Sequence, residues 1–154
     1  MAMKTTRPTD NLSLPGVINP GSQGAGTVNS GWVSLADLNT VIATIFVGTM
    51  AAGATLDAKI EQATDAAGTG AKDVTGKAIT QMTQAGGDSD KQRVIEVDGE
   101  DLDVDNDFTH VRLAVTVAVA AVDLSAAVQG VDERFGGAQK HNLASLDEII
   151  GLDA

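Results

Sequence analysis

Cysteine and tyrosine are absent from this 154-residue chain, tryptophan occurs once and phenylalanine three times. Without cysteine there are neither disulfides nor thiolate metal sites, which excludes a disulfide-stapled secreted module but leaves the compartment open. With so few rings the core has to be built from Val, Ile, Leu and Ala. Ala and Gly contribute little buried area, so a monomer of this composition buries less apolar surface than usual, and oligomerisation is one way to make up the difference. Proline does not occur after residue 20: Pro8, Pro15 and Pro20 are the only three. Bases are also scarce. Ten Lys and Arg stand against 21 Asp and Glu, for a net charge of −11, which argues against a nucleic-acid partner, whose phosphates call for clustered cations. No membrane-length apolar run is present. The longest charge-free stretch, Leu38 to Leu56, contains Asn39, four threonines and two glycines between Asp37 and Asp57, and reads as buried strand plus turn. Met1-Ala2-Met3-Lys4 runs into polar residues and proline, without a signal-peptide core.

What is there falls into three zones. Residues 1–30 hold every proline and four glycines (Gly16, Gly21, Gly24, Gly26) with few apolar residues. Proline fixes φ and removes a donor, and glycine raises the cost of ordering. The expectation is an extended amino-terminal arm, either disordered or laid over a neighbouring subunit. From Trp32 to Phe135 the sequence alternates apolar and polar residues as strands do. Val41, Ala43, Ile45 and Val47 alternate with Thr40, Ile42, Thr44 and Phe46, making a strand apolar on both faces, of the kind covered either by two layers of its own domain or by a subunit interface. Leu56, Ala58 and Ile60 alternate with Asp57, Lys59 and Glu61; a helix over 57–67 is the competing reading, since Ala, Lys, Glu and Gln favour helix. Further strands are expected over 74–82, weakened by Gly76, over 93–97 and over 126–131. The clearest is Val111 to Val119, whose alternates Arg112, Ala114, Thr116, Ala118 and Ala120 are mostly small and suggest close packing on that second face. Turns are expected at 67–70 and 85–88. Evenly spaced strands with Gly-rich turns predict an all-β fold, an antiparallel β-sandwich of jelly-roll-like kind over residues 31–135.

Beyond Gly136-Gly137, residues 136–154 form a linker and a short docking helix. Ser145-Leu146-Asp147-Glu148 has the capping-box spacing, with Ser145 as cap and Glu148 reaching back, and Leu146, Ile149 and Ile150 offer apolar contacts before Gly151. A helix this short is not stable alone in water, so it is frayed or docked.

The body also carries a resemblance. The run Gly68-Thr69-Gly70-Ala71-Lys72-Asp73-Val74-Thr75-Gly76-Lys77-Ala78-Ile79-Thr80-Gln81 is followed by Gly87-Asp88-Ser89-Asp90-Lys91-Gln92, then by Glu100-Asp101-Leu102-Asp103-Val104 and Phe108-Thr109-His110-Val111-Arg112-Leu113. This wording resembles a group of small tailed-phage structural proteins of head-gene clusters, over the body and not over the arm or tail. The resemblance implies a virion component, a capsid decoration (cement) protein with a β-sandwich fold, sitting on the outer capsid as a trimer and bridging capsomers of the major capsid protein. It carries over no site residues.

Three motifs invite chemistry. Between Gly86 and Asp107 stand nine acids (Asp88, Asp90, Glu96, Asp98, Glu100, Asp101, Asp103, Asp105, Asp107) against Lys91 and Arg93. Asp101-x-Asp103-x-Asp105 begins like a calcium loop, but the glycine position holds Asn106 and the twelfth position holds Arg112 where a bidentate Glu is needed. A solvated acidic loop is the default, with a non-EF Ca²⁺ or Mg²⁺ site as the alternative. Gly68-Thr69-Gly70-Ala71-Lys72 lacks the spacing of a phosphate-binding loop and reads as a turn. His110 and His141 are the only histidines, and nothing beside them localises a nucleophile or an oxyanion hole.

The sequence therefore predicts a non-enzymatic protein, with no catalytic, cofactor or metal residues assigned, made in the host cytoplasm and residing on the capsid surface of a virion. A tail or head–tail connector component is one alternative. A carbohydrate-binding β-sandwich module is another, disfavoured because Trp32 alone is available to stack on a sugar.

Overall fold

Alternating burial along ten strands builds two antiparallel sheets with one apolar core between them. A computed structural model describes residues 11–133, 141–142 and 144–148, leaving out the side chains of residues 132 and 133. The strands are β1 (Leu12–Gln23), β2 (Gly26–Asn29), β3 (Val33–Ser34), β4 (Leu38–Met50), β5 (Thr55–Ala63), β6 (Lys72–Ala78), β7 (Met82–Thr83), β8 (Gln92–Asp98), β9 (His110–Ala118) and β10 (Val122–Glu133). One sheet has the order β1-β10-β4-β8, and the other β2-β9-β5-β6, with β3 also on β9 and β7 also on β5. From each four-membered run the inward residues are the large aliphatic ones. Val41, Ala43, Ile45 and Val47 of β4, Leu56, Ala58 and Ile60 of β5, and Val111, Leu113, Val115 and Val117 of β9 are all buried. Leu113, Leu56 and Ile45 have no exposed surface.

The expectation of an arm over 1–30 is corrected for most of its length. β1 pairs with β10 from Leu12↔Val131 to Gln23↔Val122, and β2 pairs with β9. The physical reason is that β1 is an edge strand with irregular register. Its pairing shifts between Ser13 and Gly16 and again between Ile18 and Gly21, so Pro15 and Pro20 fall in the two irregular stretches, where no ladder donor is required. Residues 1–10 lie outside the described residues.

Residues 57–63 are strand and not helix. Propensity yields here to the period-2 pattern, because pairing with β9 on one side and β6 on the other buries Leu56, Ala58 and Ile60 together. The expected strand over 74–82 is divided into β6 and β7. Gly76 adopts φ +77° where the β5–β6 register shifts between Lys59 and Glu61. Val119, expected at the end of its strand, instead turns the chain with φ +69°. The close packing expected on the second face of β9 is met by side chains of neighbouring strands: Ala114 is buried between Asn29 and Lys59, and Thr116 hydrogen-bonds Thr27.

The carboxy-terminal helix is not seen in the described residues. Asn142 builds a turn there: its carbonyl accepts from the N–H groups of Ser145 (3.0 Å) and Leu146 (2.9 Å) and from the Ser145 hydroxyl. Ser145 is thus a donor inside that turn and not a helix cap. Residues 149–154 lie outside the described residues. No helix among the described residues is long and apolar enough to cross a membrane.

Candidate interaction surface

The two outer faces differ in kind. On the β2-β9-β5-β6 sheet the outward residues are ion-paired. Lys59 bridges Asp73 (2.6 Å) and Glu61 (3.4 Å), and Arg112 reaches Glu61 (2.7 Å). The Arg112 guanidinium also lies 4.5 Å from the centroid of the Trp32 ring. Trp32 in turn packs on Gly68, whose φ of +85° turns the 65–69 loop beneath it; a Cβ on Gly68 would stand 2.6 Å from the indole nitrogen. That loop is held by Asp65, whose carboxylate accepts from the N–H groups of Ala67 (2.9 Å) and Thr69 (3.0 Å). The same bonds, Thr69 foremost, hold the Asp65 carboxyl below its usual range. Those backbone donors are occupied by the chain's own carboxylate, so the segment is the turn its spacing implied.

On the β1-β10-β4-β8 sheet the outward rows are uncharged across most of their width. Successive rows read Val17, Ala127, Thr44 and Val94; then Ser125, Phe46 and Gln92 towards one end; then Gln129, Ile42 and Glu96 towards the other. The last row, Leu12, Val131, Thr40 and Asp98, brings a second carboxylate on the edge strand β8, and Asp123, opposite Ser22 near the start of β10, adds a third at the other end of the face. Phe46 is 45% exposed and Val94 61%. Beside Phe46 a groove of about 370 Å³ runs between Pro20, Gly21, Gly48 and Leu124, with the carboxylate of Asp123 in its lining. Among the described residues no second layer covers this face.

All six described Lys and Arg side chains (59, 72, 77, 91, 93 and 112) meet a carboxylate. The acidic stretch 98–107 is held to the body in this way. It forms two single 3₁₀ turns, 99–101 and 104–106, anchored by buried Leu102 and Phe108. Lys77 bonds Asp101 (2.7 Å) and Lys72 bonds Asp103, while Lys72 also lies over the Phe108 ring at 4.2 Å. Lys77 holds the Asp101 carboxyl below its usual range, and Lys72 followed by Asn106 does the same for Asp103. The Asp88 carboxyl is lowered by the Thr83 N–H and then by Lys91. These carboxylates point to separate partners, and no group of three or more acids or histidines is placed to hold one metal ion among the described residues.

The histidines lie at two different seams. His110 opens β9, its Nδ1 2.9 Å from the Thr109 hydroxyl. His141 returns to the β1 edge, where Nδ1 accepts from the Leu14 N–H (3.0 Å). Sequence reasoning treated His141 as a linker residue; nothing local in the sequence signals a contact that spans 127 positions.

No family model matches the chain, and no curated protein matches it. Among solved structures it is similar to chains in the structures of infectious bursal disease virus, Gx and Gt strains. Each is 12% identical, with TM-scores of 0.45 and 0.40, over 82% and 78% of this chain. The chain spans about a third of the length of those chains (33% and 32%). A likeness this loose decides neither function nor partner.

Proposed function

We propose that this chain is a non-enzymatic structural protein of a virus particle, a decoration or cement protein that binds the outer surface of a tailed-phage capsid and bridges neighbouring capsomers. One observation carries the reading: a chain of net charge −11 keeps one sheet face almost free of charge, with Phe46 and Val94 exposed on it. An exposed apolar patch bordered by polar residues is the mark of an attachment surface. Charge depletion at the centre with a polar rim is how interfaces are composed. The resemblance of residues 67–130 to small phage head proteins points the same way. So does the strand order, which has the jelly-roll connectivity that recurs in capsid and lectin domains.

The unpaired acids, among them Glu96, Glu100, Asp105 and Asp107, set an outward negative field, and the described cations are all engaged with carboxylates. A surface of that sign repels packaged DNA, so the protein belongs on the outside of the shell. The partner is the major capsid protein, and copies meet as trimers around it. The lectin-like alternative is weakened by Trp32, whose ring is covered by Arg112 on one side and packed on Gly68, leaving no open platform for a sugar.

The test is retention on capsids that lack the protein. Phe46→Asp and Val94→Lys should leave the circular dichroism spectrum unchanged and abolish co-sedimentation, whereas Asp57→Asn on the opposite face should bind as wild type. Undiminished retention of both face variants would remove the support for this surface. Loss from tails with capsid binding untouched would favour the connector reading instead.

A further inference from the structure

The carboxy-terminal segment is fixed to the β1 edge by an unusual pair of bonds. The Asn142 N–H donates to the Leu14 carbonyl at 2.7 Å, as one strand does to another. The reciprocal acceptor for the Leu14 N–H is not a carbonyl but the imidazole Nδ1 of His141, at 3.0 Å. A ring nitrogen accepts only when it carries no proton, so this contact requires the neutral imidazole with its proton on Nε2. That Nε2 is buried and has no hydrogen-bond partner among the described residues. A donor left unpaired out of water works against the contact it belongs to.

We propose that His141 is a proton-operated latch: the neutral ring closes the carboxy-terminal segment onto β1 at Leu14, and the imidazolium releases it. A second proton on the ring places a donor at Nδ1 opposite the Leu14 N–H, so two donors face each other and the bond is lost. The Asn142 N–H is then the only described hydrogen bond across the seam.

His141 lines a cavity of about 290 Å³ with Pro15, Trp32, Ser34, Asp37 and Leu38. Among the described residues that line that cavity, Asp37 is the ionisable one beside His141. Arg112 lies on the other side of Trp32 but is ion-paired with Glu61. The sign follows: the latch holds the unprotonated ring, so its contribution is present at higher pH and lost as the ring takes up a proton. Release uncovers the Leu14 stretch of β1, an edge strand. This inference stands apart from the virion reading, since it concerns the free chain.

The test is amide-exchange protection of Leu14 in the full-length chain, corrected for intrinsic exchange, between about pH 8 and about pH 5, where histidine charge changes are read. Loss of one hydrogen bond should lower the protection by roughly five- to tenfold, while Val128 in central β10 holds constant. In His141→Asn the amide oxygen still accepts but does not titrate, so protection should persist across the range. In His141→Ala it should be low throughout. Constant protection in the wild type overturns the proposal. So does an equal acid loss in His141→Asn, which would assign the titration to another group, and so does wild-type protection in His141→Ala. His110→Asn should follow the wild-type profile.

Discussion

Gly130 stands at a crowded point of the β1-β10-β4-β8 sheet, one row from its end, and adding one methyl group there tests whether the packing is as tight as the geometry implies. Gly130 is opposite Ser13 on one side and Val41 on the other. A Cβ at this position would lie 2.7 Å from both Leu38 methyl carbons and 2.7 Å from the Ser13 hydroxyl oxygen. Carbon atoms settle about 3.5–4.0 Å apart, so the two methyls would have to retreat by roughly an ångström. Leu38 and Ser13 are each 1% exposed, and neither has solvent to move into. Overpacking of this kind costs about 1–3 kcal/mol. Alanine in place of strand glycine recovers about 0.5–1 kcal/mol of backbone entropy. The expected net loss for Gly130→Ala is about 1–2 kcal/mol, read as a lower urea midpoint, or as a fall in Tm of about 2–4 °C per kcal/mol for a chain of this size. Gly48→Ala is the matched control: its Cβ would meet Asp123 at an ordinary 3.5 Å, so it should be neutral or slightly stabilising. Equal stability of the two variants would refute the packing argument. The Ser13 hydroxyl is buried without a partner, so Ser13→Ala should be neutral or stabilising alone, and should offset part of the Gly130→Ala loss when combined with it.

Arg112→Lys should cost about 1–2 kcal/mol and alter Trp32 fluorescence, because lysine keeps the charge near Glu61 but loses the planar stack on the indole; an unchanged emission spectrum would count against the stack. Asp88, Asp101 and Asp103 each have a carboxyl held below its ordinary 3.8, so their contribution is complete above that value and is lost as the pH falls below it. Asp101→Asn combined with Asp103→Asn should therefore lower stability modestly at neutral pH, where that contribution is complete, and flatten the acid limb of a pH–Tm curve so that variant and wild type converge as the pH falls. A large neutral-pH loss that only the wild type recovers in Ca²⁺ would instead establish a metal site. Removing residues 1–30 takes away β1 and β2 and should abolish cooperative unfolding, whereas removing 1–10 should keep it, as judged by urea titration.

The strands legible in the sequence are those whose inward residues are large and whose neighbours are polar or small. Val111 to Val117 could be placed because one-face burial of β-branched side chains leaves a period of two. β1 was not legible for the opposite reason. Its Pro15, Gly16, Pro20 and Gly21 look like linker chemistry, and only pairing with β10, more than a hundred residues later, turns them into an irregular edge. The acidic stretch was correctly read as loop, but its clamping by Lys72 and Lys77 rests on contacts between distant positions that no local pattern encodes. The uncharged sheet face was half legible. The double apolarity of β4 announced it, yet Val94 and Ala127, which complete the surface, become neighbours only through the register.

The pairing of β1 with β10 also sets an order of events during synthesis. Among the described residues β1 has its ladder partner at Val122–Glu133, about a hundred residues further along the chain. At about 5–20 residues per second, β1 waits on the order of ten seconds before its neighbour exists. β2 likewise waits for β9. Nascent chains of this protein therefore cannot close either sheet along β1 and β2 until β9 and β10 have been made. Prolines and glycines concentrated in that waiting segment keep it from pairing with other nascent chains in the interval, which is the stage at which an unpaired apolar edge is most dangerous.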